Sequence, residues 1–296
     1  MRFGFIVPHN YGLGDPQDVV GVARKAEETG YDSVWVNHHV LHAGYILDRL
    51  GDAPYYDALT LLTWVAAVTE RVRLGTTVIV LPYLNPLVLA KTIATLDVMS
   101  HGRVNLGIGV GNLKHESDAL ARDFHNRGRY TNEGIAVMRE LWTSLDPAYD
   151  GEFFSFSGVK FSPKPVQQPG PPILVGGHSR AAHRRAARLG DGWHPMGLTP
   201  VQAGVQMQPI RDMANAAGRD GSALDLSIRL ELRLIGDGSD GVDSPMSGTP
   251  DELVRTVEQY EAQGVNELVF SVSTADVDFI HRTMDGFAEK VMSRVR

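Results

Sequence analysis

Three successive stretches, Val72–Val80 (VRLGTTVIV), Pro86–Met99 (PLVLAKTIATLDVM) and Val104–Val110 (VNLGIGV), decide how this chain folds. The outer two are short, apolar and rich in β-branched residues. They lack clean polar alternation, as parallel strands buried on both faces do. The middle one has helical period and length. The same strand–helix unit repeats in both directions. Further strands are expected at Phe3–Val7, Ser33–Val36, Pro172–Val175, Gly192–His194, Leu226–Ile235 and Glu267–Ser273. Further helices are expected at Pro16–Thr29, Asp57–Thr69, Gly128–Leu145, Ser179–Leu189, Pro200–Ala217, Thr249–Gln263 and Val277–Val295. Thr249-Pro250-Asp251-Glu252 supplies an N-cap threonine, a first-turn proline and a capping-box glutamate. Gly30 and Gly264 fall just past helix ends, where a left-handed residue is wanted.

Eight such units predict an α/β fold, a (β/α)8 TIM barrel spanning residues 1–296 as a single domain. A doubly wound open sheet would usually stop at five or six strands, and no stretch reads as a linker. Two connections exceed ordinary loop length. Leu41–Pro54 is an insertion in the second βα loop, on the face where barrels place active sites. Asp146–Pro171 precedes the fifth strand, with a hairpin expected between Glu152–Phe156 and Val159–Phe161, turning at Ser157-Gly158.

Composition sets the outer bounds. The 296 residues are 43% hydrophobic and 21% charged, too apolar for disorder. The absence of cysteine removes disulfides, thiolate metal sites and a cysteine nucleophile. A net charge of −7 argues against nucleic acid as a partner. Apolar runs such as Trp64–Val68 fall far short of the ~20 residues of a membrane span. The expectation is a cytoplasmic protein acting on a small molecule.

Side chains at strand C-termini face a barrel's active site. Gly107, Gly109 and Gly111 alternate at the end of the fourth strand and would leave a bare wall for a planar ring. The competing reading is relief of crowding inside the barrel. Spacing and context do not fit a dinucleotide fingerprint. Gly176-Gly177-His178-Ser179 joins strand to helix, so its backbone N–H groups suit a phosphate, with Arg180 and Arg184 in support. An ordinary N-cap at Ser179 with solvated arginines is the alternative. His38 and His39 are adjacent on an extended strand and point to opposite faces, which disfavours a shared metal. One of them is expected in the pocket as hydrogen-bond donor or proton relay, the alternative being a packing histidine at the barrel rim. Neither zinc-site spacing nor a nucleophile elbow is present.

The chain resembles the luciferase-like monooxygenase superfamily, in its actinobacterial, coenzyme F420-dependent branch. The carriers are Ala26–Val36 (AEETGYDSVWV), Thr69–Thr76 (TERVRLGT), Asn85-Pro86, Lys91–Asp97, Gly102–Gly111, Phe161–Gln167 (FSPKPVQ), Val175–Gly177 and Gly190–Pro195 (GDGWHP). The resemblance implies a homodimeric barrel oxidoreductase that passes a hydride between reduced coenzyme F420 and an organic substrate. An FMN-dependent monooxygenase activating dioxygen is the alternative, and a flavin-binding barrel without turnover a third reading. It implies His39 near the reacting carbon, with Glu116 a second catalytic candidate, and a non-proline cis peptide at Thr77–Val78. Cofactor contacts are expected from Pro8, His39, Thr76, Thr77, Val78, Gly109, Gly111 and Asn112, with phosphate contacts from Gly176, Gly177, His178 and Ser179. Tyr45, Tyr55 and Trp193 are expected beside the substrate. Two departures stand out. His38 replaces the family's usual Asp, so a carboxylate to orient His39 is missing from that position. Asn112 stands where the sugar-phosphate dehydrogenases carry an acid.

Overall fold

A computed structural model describes residues 1–235 and 244–296. In chain order the first half comprises β1 (Arg2–Ile6), α1 (Pro16–Glu28), β2 (Ser33–Val36), α2 (Tyr45–Leu50), α3 (Ala58–Val68), β3 (Arg73–Thr76), β4 (Ile79–Val80), α4 (Pro86–Met99), β5 (Val104–Gly109), α5 (Lys114–Ala119) and α6 (Arg127–Thr143). The second half comprises β6 (Tyr149–Asp150), β7 (Ser155–Phe156), β8 (Ile173–Gly176), α7 (Arg180–Leu189), β9 (Gly192–His194), α8 (Pro200–Ala216), β10 (Asp225–Leu234), β11 (Met246–Gly248), α9 (Pro250–Ala262), β12 (Glu267–Ser271) and α10 (Val277–Phe287).

Parallel pairing runs β10–β12–β1–β2–β3–β5–β8–β9, and β9 pairs back onto β10 through Gly192↔Asp225 and Trp193↔Leu226. The ring is therefore closed: a (β/α)8 barrel, as the alternation predicts. β11 adds a short parallel strand outside it, against Leu232–Leu234. Helix starts follow local chemistry. Asp15, Asn85 and Ser179 each accept a first-turn N–H, and Thr199 and Thr249 form capping boxes with Gln202 and Glu252. No helix of the described residues is long and apolar enough to cross a membrane.

Most of the core lies between the strands and the helices, with Phe3, Phe270 and Phe287 packed ring on ring. Ile6, Trp35, Leu174 and Val269 form a separate cluster within it. The indole of Trp35 needs room that only glycine gives: a Cβ at Gly75 would lie 2.2 Å from its ring. Trp35 stacks on His194 at 4.9 Å and 5°. This layer closes the barrel beneath the C-terminal mouth, so the site forms above it.

Three expectations are corrected. The hairpin before β8 pairs Tyr149–Asp150 with Ser155–Phe156, one turn earlier than Ser157-Gly158. The reason is Glu133 on α6, whose carboxylate accepts the N–H groups of Glu152, Phe153 and Phe154 and so fixes the turn at 151–154. Val72–Val80 is not one strand but two, β3 and β4, separated at Thr77-Val78. The two βα loops that hold His39 and Glu116 contain short helices, α2 and α5, with no strong helix signal of their own.

Candidate active site

A cavity of about 590 Å³ opens over the C-terminal ends of the strands. Its floor is built at the interruption between β3 and β4, where the Thr77–Val78 peptide is cis. A Cβ at Gly107 would sit 1.9 Å from the carbonyl oxygen of Thr76, and one at Gly109 would sit 2.6 Å from Val78 Cγ2. Gly176 contributes from the next strand, its Cβ position 3.0 Å from Val78 Cγ1. Gly109 and Gly111 line the cavity and Gly107 does not, and the bareness expected from their spacing is taken up by the neighbouring bulge. Gly107, Gly109 and Gly176 make space for the bulge, and Val78 becomes the flat surface presented to the cavity. Thr76 lies beneath it, fully buried, donating its hydroxyl to Gly107 O at 2.8 Å.

Both histidines lie just past β2 and both line the cavity, so the expected split onto opposite strand faces does not hold; they differ in burial and in hydrogen bonds. His38 is buried, and its Nδ1 accepts the N–H of Val80 at 3.2 Å. Burial pushes its pKa down to about 4, so it is a neutral packing and anchoring residue with its Nε2 protonated. His39 faces the cavity. Its Nδ1 lies 2.8 Å from Glu116 Oε2 and its Nε2 3.1 Å from the Tyr45 hydroxyl. Glu116 is wholly buried on α5 and also accepts the N–H groups of Val40 at 2.6 Å and Leu41 at 3.1 Å. Burial would raise its carboxyl, but the bonds from His39, Val40 and Leu41 outweigh that and hold it below the usual carboxylate range. An ionised acceptor at Nδ1 fixes the tautomer of His39: Nδ1 carries hydrogen, and Nε2 is free to accept or deliver a proton inside the cavity. The carboxylate missing at position 38 is therefore supplied from a different βα loop.

Across the mouth, Gly176, Gly177 and Ser179 line the cavity at the start of α7. Gly177 has φ +99°, a conformation that favours glycine. Ser179 caps the helix by accepting Ala182 N–H at 3.1 Å. The expected cations, Arg180 and Arg184, are exposed and lie outside the lining. Arg185 and Arg127 line it instead. Arg185 is held by Asn132 Oδ1 at 2.7 Å and Gly128 O at 3.0 Å. Burial, with Arg184 adding, lowers it to about 10, which leaves it charged at neutral pH. Arg127 donates to Phe124 O at 2.6 Å, and its Nε is buried with no partner. A helix N-terminus flanked by two guanidiniums suits a phosphate. Arg127 has no motif around it, and Arg185 is separated from Arg184 only by the phase of the helix.

Of the remaining expected residues, Thr77, Val78, Gly109, Gly111, Asn112, Tyr45 and Tyr55 line the cavity. Pro8 and His178 do not, one being buried behind the wall and the other pointing to solvent. Trp193 is corrected most clearly. It is 0% exposed, and its indole N–H donates to Gly177 O at 2.8 Å, so it supports the glycine turn from below and touches no substrate. Asn10, Asn37, Arg49 and Arg229 also line the cavity.

The F420-dependent glucose-6-phosphate dehydrogenase of Amycolatopsis mediterranei is 29% identical, across 95% of each chain. An uncharacterized protein of Mycobacterium tuberculosis is 33% identical over 91% of this chain and 92% of its own. Among solved structures, a monooxygenase from Streptomyces bottropensis superposes over 100% of both chains with a TM-score of 0.84 at 24% identity. An F420-dependent secondary alcohol dehydrogenase in complex with an F420-acetone adduct covers 100% of this chain and 99% of its own, with a TM-score of 0.82 at 22% identity. At those identities the superpositions speak for the fold. The model of the luciferase-like monooxygenases matches residues 1–240. This chain, with its closed barrel and its glycine-seated bulge, belongs to the luciferase-like monooxygenase family.

Proposed function

We propose that the protein is an oxidoreductase that passes a hydride between coenzyme F420 and a small organic molecule. The observation that carries this reading is the convergence on one cavity of three features: the Val78 surface, the His39–Glu116 pair and the guanidinium-flanked start of α7. The F420-dependent relatives choose the cofactor. The residues fit such a group. Cβ atoms at Gly109 or Gly176 would displace Val78, and Arg127, which lines the same cavity as Gly176 and Gly177, has a buried Nε with no partner. Gly176, Gly177, Ser179, Arg127 and Arg185 would hold the phosphate, while Thr77, Val78, Gly109, Gly111 and Asn112 would flank the ring. When bound, the coenzyme supplies a two-electron hydride carrier, which no side chain can provide.

His39 does the proton work. With Nδ1–H committed to Glu116, its Nε2 takes up or releases the proton that balances hydride transfer at the substrate. Glu116 stabilises the imidazolium when Nε2 is protonated and keeps the ring pointed at the cavity. The Tyr45 hydroxyl donates to the unprotonated Nε2 and turns away when that proton arrives. The family's homodimer belongs to this proposal, and sedimentation velocity reads it directly.

Titration with coenzyme F420 and with FMN, each oxidised and reduced and followed by fluorescence, tests the reading. Micromolar binding of coenzyme F420, with FMN binding at least about tenfold more loosely, is expected. Tight binding of FMN alone overturns it.

A further inference from the structure

The cavity is lined by four arginines, Arg49, Arg127, Arg185 and Arg229, and among the described residues by no Asp or Glu. A chain of net charge −7 has concentrated positive charge in one place. Arg127 opens α6 and Arg185 stands on α7, the helix that follows β8; Arg185 donates to Gly128 O next to Arg127. The other two stand elsewhere. In the eight-strand ring, β1 is four positions from β8 and so faces it across the mouth. Arg49, on α2, donates to the carbonyl of Asn10, just beyond β1, at 3.0 Å, with its guanidinium 4.9 Å above the ring of Tyr11. Arg229, on β10, donates to Asn37 Oδ1, just beyond β2, at 2.7 Å. Neither forms an ion pair with a carboxylate among the described residues. Arg229 is half-buried and Arg49 is exposed, and a ligand anion would supply the counter-charge that the protein gives neither of them.

Neutral donors stand with them. Because Arg229 occupies the Asn37 oxygen, the Asn37 Nδ2 donor is left buried with no partner, on a residue only 6% exposed. The Tyr55 hydroxyl is buried and unpartnered in the same wall. Asn10 Oδ1 is a third orphan, an acceptor as placed, and a half-turn of that amide offers N–H₂ at the same point. Arg49, Arg229, Tyr45 and Tyr55 all line this cavity, and both arginines oppose the burial that raises the two phenols. The same lining includes apolar surface from Tyr45, Ile46 and Met196.

From this arrangement we infer that the β1–β2 side of the cavity is a carboxylate subsite. There Arg229 and Arg49, with Asn37 Nδ2 and the Tyr55 hydroxyl, receive the carboxylate of a small acid whose apolar body lies against Tyr45, Ile46 and Met196. Two carboxylate oxygens offer about four acceptor positions, which these four donors match in number. The inference deepens the proposed function by giving the substrate a class, and it rests on that reading for the word substrate. The subsite itself does not.

The test is calorimetric titration of the purified full-length protein, without added cofactor, with benzoate, its neutral isostere benzamide, and phenyl phosphate. Benzoate is expected to bind about tenfold or more tightly than benzamide, the size of a charge-assisted contact. The preference should vanish in Arg229→Gln, weaken in Arg49→Gln, persist in part in Arg229→Lys, and be unchanged in Arg185→Gln. The lysine variant keeps the test valid if the glutamine variant is unstable. No benzoate binding, equal affinity for benzamide, preference for phenyl phosphate, or a benzoate preference that survives Arg229→Gln each overturns the inference. Coenzyme binding reads the α7 end and benzoate binding the β1–β2 end, so either result can fail without the other.

Discussion

At the scale of single residues, the site depends on Glu116. It converts His39 from one of two adjacent histidines into a group with a defined tautomer. Glu116→Gln is expected to cut turnover by about 10²-fold, within the range of general acid–base contributions, while coenzyme affinity changes by less than about threefold. Single-turnover kinetics beside a binding titration separate the two. His39→Ala is expected to behave likewise, and undiminished turnover would remove it from the mechanism. A pocket histidine could be read from the strand end at His38-His39, and the family resemblance singled out His39. Glu116 is visible in sequence only as a position, because its partners lie 75 to 77 residues away and no spacing rule joins them. Arg49 and Arg229 were silent for the same reason. Arg180 and Arg184 misled because a helix turns about 100° per residue, and a shift of one position carries a side chain from solvent to cavity.

Buried histidines also set the response to acid. Burial pushes His38 to about 4 and His194 to about 3, against 6.5 in an unfolded chain. Below about pH 6.5 the unfolded chain binds protons at these positions that the folded chain refuses, so stability falls as pH drops and the His38 contribution is fully lost near pH 4. Glu116, held below its ordinary value, loses its contribution in the same direction at lower pH. Urea unfolding at pH 7, 6 and 5 should show a declining midpoint, and His38→Asn should flatten the decline. A midpoint independent of pH would contradict the assignment of neutral buried imidazoles.

At the scale of elements, the strand–helix alternation was legible because most strands are short apolar runs and most of the barrel helices, α6 excepted, carry a start signal. The interruption between β3 and β4 was not legible from period alone. Val72–Val80 reads as one strand, and only the position of the peptide 77–78 divides it. The glycines of β5 acquire their meaning from that division. Gly107→Ala would place Cβ against backbone, 1.9 Å from Thr76 O, and is expected to cost about 1–3 kcal/mol or more in urea unfolding, as overpacking does. Gly109→Ala meets only the side chain of Val78, at 2.6 Å, so it should cost less stability but weaken coenzyme binding by moving the surface on which the ring rests. The reverse order of stabilities would refute this account of the bulge. Gly176→Asp, which sets a carboxylate beside the phosphate cradle, is expected to abolish coenzyme binding by repulsion.

At the scale of the whole molecule, an acidic protein surrounds a basic cavity. Affinity for an anionic coenzyme should therefore fall as ionic strength rises, which salt-dependent titration measures. A ligand that binds only the folded state at a hundred times its Kd adds ~2.7 kcal/mol of stability. Saturating coenzyme F420 should accordingly raise Tm by several degrees, and raise it less in Arg185→Gln. The most direct measurement is a crystal structure of the protein with oxidised coenzyme F420. The ring should rest on Val78 with its reacting carbon on the His39 side, and the phosphate should lie at Gly176, Gly177 and Ser179 between Arg127 and Arg185. A ring seated away from Val78, or a phosphate held by Arg49 and Arg229 instead, would contradict the account.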